Sequence, residues 1–442
     1  MIMQTRLRSL TAALCGLIVL LSVTMATAGG AQSKTVSTLD QLYAALAAAK
    51  GGETILLAEG EYGAFTLLTK SGFNYAYPST VTIASANPKR PAVFTSIDVR
   101  KAKNLTFDGI LFDYRFQPGT PVHVKPFIIS NGENITIRNS VFDGDVARGV
   151  SPKEDGLGYG IGLVMRASRG SRVENNEIFG FHRGMTMGAG FDAVIRGNDI
   201  HSLRSDGMDF AQMQGVLIEG NYIHDFVRST LKSDHADMIQ FWTNGTKLPS
   251  INITIRGNVL MAGKGNSTQT IFMRNDQVDR GLKGPEMFYR NVVIEDNVIV
   301  NGHAHGITLG EATGVRIRNN TLVRGQAFAQ GDNRARKVRM PRIKVAGAST
   351  DVEIIRNIGP TFPNSQKGWV IADNMVIQDL SASGASAYGA VFVDAMTGAP
   401  DQLESFVYRA GSIPDVKSIG APLLRPQSQA RSQFATGPYA GD

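Results

Sequence analysis

The sequence has almost no cysteine, one among 442 residues. No intramolecular disulfide can form, and Cys-based metal sites and redox pairs are excluded. Tryptophan is equally scarce, at two residues, and aromatics make up 8%. Long apolar runs are missing too. The longest, Leu10 to Val23, is too short for a membrane-spanning helix, and no second stretch approaches that length. What the chain has in excess is glycine, at 48 residues or about 11%, against a usual share of roughly 7%. That predicts many turns. With 43% hydrophobic and 19% charged residues, the chain can bury a sizeable core and is not globally disordered.

Residues 1–28 have the layout of a secretory signal peptide. Arg6 and Arg8 form a basic start, an apolar stretch follows, and Ala26-Thr27-Ala28 fits small-x-small cleavage before Gly29. The sole cysteine, Cys15, lies inside this segment. The full chain carries 45 basic and 38 acidic residues, net +7; removal of Arg6 and Arg8 leaves 43 minus 38, or +5. The expected product is a periplasmic or secreted soluble protein that folds without redox help.

An apolar-alternating segment ending in Asn recurs along the body. Examples are Ile135-Thr136-Ile137-Arg138-Asn139, Val194-Ile195-Arg196-Gly197-Asn198 and Ile253-Thr254-Ile255-Arg256-Gly257-Asn258. The asparagines fall at 139, 176, 198, 221, 258, 297, 320 and 357, with gaps of 37, 22, 23, 37, 39, 23 and 37. The base period is therefore 22 to 23, and four gaps carry an insertion of 14 to 16 residues. Short alternating strands at such a period indicate a solenoid. No helical stripe separates them, which argues against leucine-rich repeats and βαβ units. The predicted fold is all-β: a single-stranded right-handed parallel β-helix of about ten coils, its asparagines forming an internal ladder. A capping helix is predicted over 38–50, with Thr38 as N-cap and Gly51-Gly52 as the stop; it would cover the open first coil. The expected organisation is 29–75 as N-terminal cap and first strands, 76–380 as the β-helix and 381–442 as a C-terminal extension. From Arg425 that extension reads as mobile.

Each coil offers a second strand, with Gly184-Met185-Thr186-Met187, Gly207-Met208-Asp209-Phe210 and Met238-Ile239-Gln240-Phe241 as successive copies. Alternation turns Met185, Met208 and Ile239 inward. The outward positions then form columns: Gly162, Thr186, Asp209, Gln240, Phe272, Thr308, Lys344, and two residues on, Val164, Gly188, Ala211, Trp242, Arg274, Gly310. Ionisable groups collect between residues 206 and 310, where a purely structural coil needs none. His235 is a candidate general base near neutral pH, with Asp234 or Asp237 to orient its ring. Trp242 offers a flat face for a sugar, and Arg274 a fork for a carboxylate. Asp206, Asp209, Asp234 and Asp237 supply hard oxygen ligands suited to Ca2+, although no EF-hand spacing is present. The reading requires no cofactor and accommodates Ca2+. A basic loop, Arg324, Arg334, Arg336, Lys337, Arg339, Arg342 and Lys344, leads into the same face as a solvated run or a clamp for a polyanion. Nucleic acid is not the expected partner, since no aromatic-basic interleaving or nucleic-acid motif appears.

Residues 35 to 375 resemble the right-handed parallel β-helix carbohydrate-active proteins. The stretch Leu39-Asp40-Gln41-Leu42 through Gly51-Gly52-Glu53-Thr54-Ile55 to Glu61-Tyr62 is similar to the N-terminal cap of polysaccharide lyases and alginate epimerases. Asp234-His235-Ala236-Asp237 is similar to the Asp-Pro-His motif of mannuronan C5-epimerases, which implies His235 as base. Ile271-Phe272-Met273-Arg274 is similar to the strand of alginate and chondroitin lyases that ends in an active-site Arg. Asp206-Gly207, Asp237, His305-Gly306 and Arg342-Ile343-Lys344 follow the order of polygalacturonase motifs, a competing hydrolase set. The resulting expectation is an enzyme that abstracts the C5 proton of a uronate, as lyase or epimerase. His235, Arg274, Asp237 and Gln240 would be catalytic. Trp242, Asp209, His305, Arg342 and Lys344 would bind substrate. The partner would be an acidic polysaccharide, with no membrane span and a monomeric state. A polygalacturonase-like hydrolase and a non-catalytic glycan-binding surface protein are the alternatives.

Overall fold

The computed structural model describes residues 33–68, 75–229, 231–232, 234–263, 265–325, 340–378, 386–395 and 402–434. The expected signal peptide and Arg334, Arg336, Lys337 and Arg339 of the basic loop lie outside them. The described chain winds into a parallel β-helix. Its largest face stacks thirteen parallel strands, from Ser33–Val36 to Trp369–Ala372, which exceeds the expected ten coils. One coil shows the pattern: Met208–Ala211, then Gln214–Glu219 on that face, then the short Tyr222–His224, then a loop back to Asp237–Trp242. The inside is a continuous apolar core. Early coils fill it with rings, among them Phe112 and Phe142 at 4.4 Å, and later coils with Ile and Met. No helix of the described residues is long and apolar enough to cross a membrane.

Helix α1 (Leu39–Ala48) caps the first coil, with Thr38 accepting from the Gln41 N–H and with Leu42, Ala45 and Leu46 buried. The asparagine ladder runs inside the turns. Each Oδ1 accepts from both the backbone N–H and the side chain of the preceding asparagine, as Asn258 does from Asn221 at 2.9 Å. The ladder extends to Asn374. At its start the expectation needs correcting: Ser140, not Asn139, takes the rung, its N–H bonding Asn176 Oδ1 at 3.0 Å. Asn139 instead adopts φ +50° and donates to Asp108. Asn tolerates this left-handed conformation better than most residues.

Beside the ladder, outside, charges alternate from coil to coil. Asp108, Arg138, Glu174, Arg196, Glu219, Arg256, Glu295 and Arg318 stand in register on successive strands of the thirteen-stranded face. Glu219 shows the effect: Arg196 Nε and Arg256 Nε reach its two oxygens at 2.7 and 2.6 Å. On the short-strand side, Phe179, His201 and His224 stack, and His224 sits between Asp199 and Asp225, 2.8 Å from each. Burial alone would lower the pKa of His224, but these two carboxylates carry it up to about 9.

Further along that side, Val259, Met261, Val298, Val300 and Val323 face outward and are buried. The C-terminal segment covers them through short helical turns at Leu403–Phe406, Ile413–Lys417, Pro422–Leu424 and Gln429–Phe434. The end expected to be mobile is therefore packed up to Phe434, whose ring meets Tyr222 edge-on. Residues 435–442 lie outside the described chain.

Candidate active site

Seven strands carry the site: β1 (Ile161–Arg166), β2 (Arg183–Gly188), β3 (Met208–Ala211), β4 (Asp237–Trp242), β5 (Gln269–Met273), β6 (His305–Leu309) and β7 (Arg342–Val345). Of the residues inserted before β4, 225–229 and 234–236 form irregular connections. The outward column reads Val164, Thr186, Asp209, Gln240, Phe272, Thr308, Lys344. In β1 this differs by two residues from the expectation, which placed Gly162 beside Thr186. Residues 161–165 are all buried, so alternation does not mark the outer face there. Gly162 sits where a Cβ would come 2.6 Å from the Gly184 carbonyl oxygen.

At the centre, three acids converge. Asp206, Asp209 and Asp237 are each 1% exposed or less. Asp206 Oδ1 accepts the Asp237 N–H at 3.0 Å, which locks β3 to β4. Arg183, from β2, pairs with two of them: its Nη1 donates to Asp209 Oδ2 at 2.8 Å and its Nε lies 3.1 Å from Asp206 Oδ2. His235 Nδ1 is 2.9 Å from Asp237 Oδ2, and the same oxygen accepts from Gln240 Nε2 at 2.8 Å. The His235 ring is 57% exposed while Asp237 is fully buried, so a hidden carboxylate orients an open imidazole. His235 Nε2 lies 2.9 Å from Gln269 Nε2. An amide donating there selects the tautomer with the proton on Nδ1 and the lone pair on Nε2.

The electrostatics follow from burial. Desolvation pushes Asp206 up to about 6, with Arg183 pulling it back. Burial and the neighbouring Asp206 hold Asp209 well above the usual carboxylate range. Burial also raises Asp237, against the pull of His235. The Oδ1 atoms of Asp209 and Asp237 have no hydrogen-bond partner among the described residues. The Asp237 hydrogen bond raises His235 above its ordinary value, against burial.

A cavity of about 260 Å3 opens over this cluster, lined by Arg183, His235, Gln240, Trp242, Phe272 and Arg274 among others. Arg274 Nε donates to Asp279 Oδ2 at 2.7 Å, in the short helix α2 (Asp276–Asp279). Phe272 stands edge-on between His235 and His305, with ring centres at 6.1 and 5.2 Å.

A family model described as the right-handed β-helix region matches residues 127–357, more than half of the chain. The chain belongs to the right-handed β-helix family. No curated protein matches this β-helix. Among solved structures, the Dettilon tailspike protein is similar at 14% identity and a TM-score of 0.50, over 79% of this chain and 63% of its own. PfbA, a surface adhesin of Streptococcus pneumoniae, has 12% identity and a TM-score of 0.49, over 80% of this chain and 95% of its own. The PL6 family alginate lyase AlyGC has 14% identity and a TM-score of 0.44, over 93% of this chain and 59% of its own. The β-helix thus spans less than two thirds of the tailspike and of the lyase. At these identities the likeness is one of fold.

The structure brings His235, Asp237, Gln240, Trp242 and Arg274 to one cavity and Asp206 and Asp209 beneath it. Arg342 and Lys344 are exposed on β7, beside His305 and Thr308, and do not line that cavity. Asp234, expected with the metal-binding acids, is paired instead with the buried Arg204, which also binds Glu154. The remaining set fits Ca2+ poorly. Asp206, His235 and Asp237 do place ligand atoms within 4.8 Å of one another, but one donor is a nitrogen and the Arg183 guanidinium already faces the carboxylates. Sequence reasoning missed Arg183 and Gln269. Their signal was weak: a lone cation one coil before Asp206 and Asp209, and a Gln at the strand position after Asp237 in the stack.

Proposed function

We propose that this β-helix is an enzyme acting on an acidic, uronate-containing polysaccharide, with His235 removing the C5 proton. One observation carries the reading: His235 is exposed, its Nδ1 is fixed on the fully buried Asp237, and its ring lines the cavity that Arg274 and Gln240 also line. In the first step the Gln269 amide gives up its hydrogen bond to Nε2, the C5–H bond breaks, the proton joins Nε2, and the electron pair moves into the carboxylate as an enolate. Donors beside that carboxylate lower the barrier. A lyase then breaks C4–O, forms C4=C5 and protonates the departing sugar oxygen. An epimerase returns a proton to the opposite face of C5. A hydrolase needs a carboxyl that reaches the glycosidic oxygen, and Asp206, Asp209 and Asp237 are too deeply buried for that.

The test is incubation with alginate, polygalacturonate and glucuronate-containing polymers, following ultraviolet absorbance of the unsaturated product, C5 configuration and new reducing ends. Absorbance or epimerisation that disappears in His235→Ala supports the proposal. New reducing ends without absorbance would move the assignment to hydrolysis. Binding without turnover would leave a glycan-binding protein.

A further inference from the structure

The cavity beside His235 has two guanidinium walls, Arg274 from the end of β5 and Arg183 from β2. We propose that Arg183 is the residue that grips the substrate carboxylate while His235 takes the C5 proton. The inference rests on the proton-abstraction reading of the same site and assigns a residue that no sequence motif marked.

Position is the first argument. A uronate carboxyl carbon is bonded directly to C5, so the base and the carboxylate ligand must share one small space. Arg183 and His235 line the same 260 Å3 cavity. The second argument is preorganisation. Arg183 is held by Asp209 at 2.8 Å and by Asp206 at 3.1 Å, both buried, and 27% of its side chain remains exposed. Its orientation is therefore set before substrate arrives, the condition under which a donor stabilises developing charge without reorganising. Asp206 ties the two halves together: one oxygen faces Arg183 and the other accepts the Asp237 N–H. The carboxylate ligand and the group that orients the base thus hang on a single side chain.

Charge is the third argument. Arg274 is 51% exposed and is drawn to its own helix, with Nε on Asp279 at 2.7 Å and Asp276 at 3.7 Å. Two acids on α2 compensate it. The acids around Arg183 are buried, and burial favours their neutral forms. Arg183 is also less exposed than Arg274, 27% against 51%, so its attraction for an incoming anion is screened less by solvent. A guanidinium suits the task, since its planar fork can bind both oxygens of a carboxylate and follow them as the enolate forms.

The experiment compares wild type, Arg183→Ala, Arg183→Lys, Arg274→Ala and His235→Ala in the full chain. Two readouts are taken: turnover on the uronate polymer that the wild type accepts, and equilibrium binding of a saturated uronate trisaccharide. Arg183→Ala should lower kcat/KM at least 100-fold, with added guanidinium restoring it at least tenfold. Arg183→Lys should fall between, and trisaccharide binding should weaken at least tenfold in Arg183→Ala. Rescue by a free cation of the right shape is not expected of a residue that only supports the fold. If Arg183→Ala does not fold, Arg183→Lys decides through trisaccharide affinity: a loss of threefold or more supports the assignment, and a smaller change overturns it. Arg183→Ala turnover within threefold of wild type, with Arg274→Ala inactive, would transfer the role to Arg274. A wild type that binds uronates without turning them over, or that is indifferent to His235→Ala, defeats the proton-abstraction reading instead, while the trisaccharide affinities still decide Arg183.

Discussion

At the scale of single residues, the site is a set of side chains whose properties are fixed by partners they cannot leave. His235 is the clearest case. Its hydrogen bond to Asp237 raises its pKa, and a base works only when deprotonated. The rate should therefore climb with pH through a value above 6.5, the ordinary histidine value. Asp237→Asn removes that stabilisation of the imidazolium, so the acid limb of kcat/KM should move to lower pH while the plateau falls by about 100-fold. A pH–rate profile that keeps its acid limb would show that His235 is not the titrating group. His235 and Asp237 were legible in the sequence because they are two residues apart, and local spacing survives folding. Arg183 was not. It meets the acids only because two coils stack, and its importance comes from burial against carboxylates that a one-dimensional reading places on other strands.

At the scale of elements, the turns differ in how much they hold. Asn258 accepts from the Asn221 backbone and side chain and donates to the Ile218 carbonyl and to Asn297. Asn258→Ala orphans several buried polar groups, and loss of about 3 kcal/mol is expected from urea unfolding. Asn139, outside the ladder, should cost less than half of that when changed to Ala. Equal losses would mean that the rungs are not the source of stability. The 22-residue period announced this ladder, but it could not distinguish Asn139 from Ser140, since both can accept from a backbone N–H. His224 gives the elements a pH dependence of known sign. Its folded pKa of about 9 lies above the ordinary histidine value of 6.5. The stability it adds is fully present below 6.5 and is lost as pH rises through 9, at most about 3 kcal/mol. In His224→Gln the decline between those values should flatten, as read from urea midpoints at several pH values.

At the scale of the whole molecule, the β-helix is a column sealed at one end by α1 and wrapped along one side by its own C-terminal segment. That wrapping was invisible in the sequence, because 402–434 has neither the repeat nor a long amphipathic stripe; its apolar residues are scattered over short helical turns. Removing residues 402–442 would bare Val259, Met261, Val298, Val300 and Val323, a patch that soluble proteins seldom leave open. The truncated chain should bind a hydrophobic dye and lose solubility, whereas an extension that merely trailed from the solenoid could be cut without either effect. The alternating charges beside the asparagine ladder carry a different consequence, one of parity. From Asp108 to Arg318, sign depends on whether a coil is odd or even in the stack. Duplicating or deleting one coil sets like charge against like, while adding or removing two restores every pair. A lineage that lengthens this solenoid is therefore expected to grow by twos within that stretch, and a design that inserts a single coil needs a compensating charge reversal all the way to one end.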